Sequence, residues 1–79
     1  MKMKMTYQDI QDYASELASC KLGFGSVAEC WDSIRSVFYV TDKQELAIVI
    51  LCRHYMLVEQ GEYVDWDSVD AEVLEMLNA

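Results

Sequence analysis

The chain has no proline, only three glycines and, beyond Arg53, no lysine or arginine. Without proline and with little glycine, the two residues that most readily interrupt helices are almost absent. Nowhere is there a long hydrophobic run. The longest is the seven residues from Leu46 to Cys52, far below the roughly 20 that a membrane-spanning helix needs. No Cys-x-x-C pair occurs among Cys20, Cys30 and Cys52. An odd set of scattered cysteines argues against a disulfide scaffold and for reduced thiols in a cytoplasmic setting. The opening Met1-Lys2-Met3-Lys4-Met5 runs directly into polar sequence, so no signal peptide is expected. Glycine-rich phosphate loops are missing, and the few basic residues are scattered rather than gathered on one helix. That excludes direct nucleic-acid recognition.

What is present is apolar content and acid. Of the 79 residues, 53 % are hydrophobic, enough to build a core and to argue against disorder. A chain this short buries only about 60 % of its unfolded surface, and one domain over 1–79 is the expected organisation, with 1–5 as a flexible N-terminal tail.

Four helices are expected. Thr6, with Asp9 three residues on, caps the first, in which Ile10, Ala14, Leu17 and Ala18 share one face and Asp9, Asp12 and Glu16 another. Lys21 suits its last turn and Gly23 its termination. Gly25 and Ser26 open the second helix, with Ser26 and Glu29 in capping-box spacing and Val27, Cys30, Trp31, Ile34 and Val37 or Phe38 as its stripe. The run Ser36 to Val40 has β character, but it lacks a second strong strand to pair with, so the fraying end of a helix is expected there. Thr41 with Gln44, or Asp42 with Glu45, caps the third helix. It is apolar nearly all round from Leu46 to Val58, the pattern of a buried central helix, and Gly61 closes it. Asp65 or Asp67 caps the fourth, with Trp66, Val69, Val73 and Leu77 inward. Short loops favour antiparallel neighbours. The expected fold class is all-α, a compact bundle of about four short helices around a buried third helix.

No residue pattern points to catalysis. His54, the only histidine, stands two residues from Cys52, and on a helix their side chains diverge by about 200°. The cysteines lie among apolar neighbours, with spacings unlike those of a compact zinc site. Asp65-x-Asp67 begins like a calcium loop, but Asp70 and Met76 stand where that loop needs glycine and glutamate. Acyl carrier proteins are small, acidic four-helix bundles similar in size and charge, and Asp32-Ser33-Ile34 and Asp67-Ser68-Val69 loosely resemble their Asp-Ser-Leu attachment site. Ser33 falls inside a helix, however, and Ser68 has too little chain after it. No enzyme activity, metal or cofactor is expected.

The acids remain. After Arg53 come Glu59, Glu62, Asp65, Asp67, Asp70, Glu72 and Glu75, so seven of the eight units of net negative charge lie in the C-terminal third. None has a basic neighbour one helical turn away, so like charges repel. A solvated face is the ordinary reading of such residues. Their density suggests another: carboxylates one turn apart stand about 5–6 Å from each other, comparable to neighbouring phosphates on a nucleic-acid strand. Such a surface fits a basic groove made for DNA and repels membranes and nucleic acid. Asp9, Asp12 and Glu16 form a second patch, and Tyr63 and Trp66 offer aromatic anchors, with core packing the plainer expectation for Trp66.

In size, charge and helical character the chain resembles the small acidic inhibitors that bacteriophages encode against host defence, in particular anti-CRISPR proteins that mimic DNA. The resemblance spans the whole chain and has no diagnostic motif. It implies a non-enzymatic inhibitor acting in the cytoplasm of a bacterial host, whose acids occupy the basic DNA-binding surface of a CRISPR effector complex. Anti-restriction DNA mimics are similar in kind. The alternative is a helical interaction module, such as a regulatory or antitoxin-like partner, binding through an apolar surface at Trp31, Phe38 and Tyr39. A monomer or a weak dimer is expected.

Overall fold

The structure, a computed structural model, describes residues 1–19 and 24–79, with side chains from residue 27 onward in the second stretch. It is an all-α bundle. The described elements run β1 (Met3–Lys4), α1 (Tyr7–Ser19), α2 (Phe24–Val37), β2 (Phe38–Tyr39), α3 (Asp42–Glu59) and α4 (Trp66–Asn78).

Local chemistry places most boundaries. At the start of α1 the Asp9 N–H donates to Thr6 Oγ1 at 3.2 Å, while the Thr6 N–H donates to Asp9 Oδ2 at 2.9 Å. Reciprocal bonds of this kind satisfy two helix-terminal donors. α3 opens with a full capping box: the Gln44 N–H donates to Thr41 Oγ1 at 3.1 Å, and the Thr41 N–H to Gln44 Oε1 at 2.9 Å. It closes on Gly61, at φ +85°. There the Glu62 N–H reaches Leu57 O and the Gly61 N–H reaches Val58 O, both at 3.0 Å, the paired bonds of a Schellman ending. Asp65 caps α4, accepting from the Ser68 N–H at 3.4 Å and the Ser68 hydroxyl at 2.8 Å. α2 begins at Phe24, two residues ahead of the expected cap; the side chain of Ser26, like Lys21 and Gly23, lies outside the described residues.

α3 is the hub, packing against α1 and α4, while α2 packs against α1 and β2. The core joins Ile10, Ala14 and Leu17 of α1, Ile34 of α2, Ala47, Ile48 and Leu51 of α3, and Val69 and Val73 of α4. Ile34, Ile48 and Leu51 have no exposed surface, and a side chain of this size contributes roughly 1.5–3 kcal/mol when fully buried. The molecule is flat, with extents of 38 × 33 × 16 Å.

Three expectations are corrected. The first concerns the flexible tail expected at 1–5: Met1 and Lys2 precede the first element, but the chain from Met3 to Met5 is held in place. Met3–Lys4 pairs in parallel with Phe38–Tyr39, and Met5 is a core residue. The second concerns residues 36–40: the chain leaves α2 at Val37 and becomes strand, because β1 supplies the missing partner. The pairing is parallel because α1 and α2 together form the crossover that parallel strands require. The third concerns α3, which is covered only on its inner face. Leu46, Val49 and Met56, which share the outer side, stay exposed, since so thin a molecule cannot surround a helix.

Candidate partner-binding surface

The acids of the C-terminal third divide by what their local structure asks of them. Glu59 ends α3, and Glu62 follows the Gly61 turn; both are exposed. Along α4 the 3.6-residue period turns Trp66, Val69, Val73 and Leu77 toward the rest of the bundle. Glu72 and Glu75 are left in solvent, with Asp67 exposed in the first turn, where the helix dipole favours a carboxylate. Asp65 is exposed too, but its oxygens are committed to the Ser68 cap.

Asp70 departs from the expected acidic face. It is half-buried on the inner side of α4 and accepts a 2.7 Å hydrogen bond from the Tyr7 hydroxyl, 63 residues away in sequence. Burial, followed by this bond and the Asp70 charge, pushes the Tyr7 phenol well above the ordinary tyrosine range. The Tyr55 phenol is raised as well, first by burial and then by the charges of Asp70 and Asp12. Asp70 thus belongs to a junction of α1, α3 and α4. Trp66 completes that junction: it packs on the core, with its ring 4.7 Å from Tyr55 and 6.4 Å from His54. Core packing describes Trp66, while Tyr63, 89 % exposed, is the aromatic that stands among the acids. No sequence signal pairs Tyr7 with Asp70, because the two meet only where α1 and α4 both pack against α3.

In the second patch, Asp9 is tied to Thr6 and Asp12 accepts from Gln8 Nε2 at 2.9 Å. Glu16 is exposed.

Three of the basic side chains are engaged elsewhere, and Lys4 and Arg53 form no ion pair among the described residues. Arg35 pairs with Glu45 at 3.2 Å, the one ion pair among the described residues, and also lies over the Trp31 ring. Lys2 lies over Tyr39. Lys43 donates to the Ala79 main-chain oxygen, at the end of α4 where the dipole favours a cation. Glu59, Glu62, Asp67, Glu72 and Glu75 therefore keep uncompensated charge.

The alternative apolar surface is redistributed. Phe38 is buried edge-on against Tyr13, with ring centroids 5.7 Å apart. Trp31 is half-buried beneath Arg35, and Tyr39 alone of the three is exposed. Exposed apolar residues gather instead on the outer side of α3. An open groove of about 640 Å³ that the sequence did not signal runs between Tyr7, Ile10, Thr41, Lys43, Leu74 and Leu77.

Other candidate chemistry is absorbed by the fold. His54 Nδ1 is 2.8 Å from Ile50 O; Cys30 and Cys52 are half-buried against the core. Ser33 lies exposed within α2, and Ser68 serves the α4 cap. Among the described residues no group of three His, Cys, Asp or Glu side chains is placed to hold a metal ion, and no helix is long and apolar enough to cross a membrane. No protein-family model matches this chain, nor does any curated protein or solved structure.

Proposed function

We propose that this chain is a non-enzymatic inhibitor of a nucleic-acid-binding host-defence complex, of the anti-CRISPR type, which acts by presenting acids where the complex expects DNA. The observation that carries the reading is the set of exposed carboxylates after Arg53 that no lysine or arginine pairs with among the described residues. Glu72 and Glu75 project from α4, Asp67 from its first turn, and Glu59 and Glu62 flank the turn before it. Helix and cap hold these charges in place, so little ordering entropy opposes their docking, unlike that of an acidic tail. A basic DNA groove carries lysines and arginines that ordinarily displace counterions from phosphates; carboxylates at similar spacing engage the same side chains. Asp65 and Asp70 serve the fold, and Asp12 and Glu16 extend the surface from α1.

The test is capture of a partner from bacterial lysate by the tagged protein, with washes at low and high salt. A nucleic-acid-binding complex that is lost at high salt and displaced by duplex DNA is the expected result. Charge reversal at Glu62, Glu72 and Glu75 should abolish that capture and leave the helical circular dichroism unchanged. Capture that survives this triple change, high salt and competing DNA would sink the reading.

A further inference from the structure

The outer side of α3 carries a pattern that the fold leaves unused. Asp42, Leu46, Val49, Arg53, Met56 and Gln60 follow one another at intervals of four, three, four, three and four residues. That alternation is how a helix offers a seam to another helix lying alongside it. Leu46 is 50 % exposed, Val49 49 % and Met56 46 %, so the seam is uncovered. Arg53 sits within it, exposed and outside the one ion pair among the described residues.

We infer that the partner for this seam is a second copy of the chain, lying antiparallel with the dyad midway between Leu46 and Val49. In that register Leu46 of each copy faces Val49 of the other. Asp42 of each copy then faces Arg53 of the other, so every charge in the seam meets its opposite. A parallel arrangement sets Arg53 against Arg53 and Asp42 against Asp42, which like-charge repulsion disfavours. An antiparallel register that brings Leu46 to Met56 leaves Arg53 against Val49. The self-complementary order acid, apolar, apolar, base is what a two-fold contact demands, and an unrelated partner has no need of it. A single helical seam is small beside the roughly 800 Å² per partner of a standard interface, so the dimer is a weak, concentration-dependent one. Its residues are separate from the exposed acids of α4, so the two ideas stand or fall independently.

Sedimentation equilibrium on the full chain, from low micromolar to near-millimolar concentration, should show reversible monomer–dimer exchange. Val49→Glu should leave it monomeric with unchanged circular dichroism. Asp42→Arg and Arg53→Asp should each self-associate more weakly than the parent, because each places like charges in both outer layers. Mixed together, those two variants should form a heterodimer, since all four charges then face opposites. A parent that stays monomeric throughout, a dimer that survives Val49→Glu, or a mixture that associates no better than its components would each overturn the proposal.

Discussion

Replacing Tyr7 by Phe removes one oxygen and leaves the ring, so it isolates the hydrogen bond to Asp70. That bond is 2.7 Å long and half-buried. A hydrogen bond to a charged group contributes about 1.5–3 kcal/mol; partial access of water to this pair argues for the lower end, about 1.5 kcal/mol. In a domain of this size 1 kcal/mol moves the midpoint of thermal unfolding by about 4–8 °C, so Tyr7→Phe should lower Tm by roughly 6–12 °C in far-UV circular dichroism. Glu75→Gln, at an exposed position on the same helix, should change stability by less than about 0.5 kcal/mol. The two partners should also be coupled: Tyr7→Phe combined with Asp70→Asn should cost less than the sum of the single changes. The Tyr7 phenol adds a pH signature. Its value is raised in the folded state from an unfolded value of 10.0, so its contribution is fully present below pH 10 and is lost as pH rises above it. Tyr7→Phe should flatten that alkaline loss. A variant that melts with the parent and keeps the same alkaline profile would show that Asp70 is an ordinary surface acid, and would return it to the partner-binding set.

Two further outcomes follow from the corrected elements. Met5→Ala should cost about 2 kcal/mol by urea unfolding, because a core side chain is truncated, whereas Met3→Ala, at an exposed position, should be near neutral; equal effects would mean that residues 1–5 are not part of the fold. Gly61→Ala should cost about 1 kcal/mol, read as a lower urea midpoint at unchanged slope, since φ +85° strains any residue with a Cβ while no atom lies within 4 Å of the added methyl group.

Much of the helical architecture was legible because its signals are local. Thr6–Asp9, Thr41–Gln44, Asp65 and Gly61 satisfy backbone groups within a few residues of themselves, so a short window of sequence suffices to place them. The inward faces of α1 and α4 were equally readable, because amphipathic periodicity records which side meets the core. α3 was harder. A helix apolar on every side is compatible with full burial, and only the thinness of the molecule shows that one side remains uncovered. The acidic surface was legible as composition and not as geometry. Glu59, Glu72 and Glu75 are as exposed as their helix positions suggest, and Glu62 as its place in the connection between α3 and α4 suggests, but Asp70 carries the same charge in the same run and is turned inward to Tyr7.

The sequence by itself determined the helical class, most helix ends and the concentration of negative charge after Arg53, all properties of single residues and their near neighbours. The tertiary structure decided the rest. It drew Met3–Lys4 into a parallel pair with Phe38–Tyr39, gave Asp70 to the α1–α3–α4 junction, and left the Leu46–Val49–Met56 seam open. Each of these depends on which distant segments lie side by side. A two-residue strand, a single carboxylate and an apolar stripe have no fixed role until a neighbour pairs with them, buries them or leaves them in water.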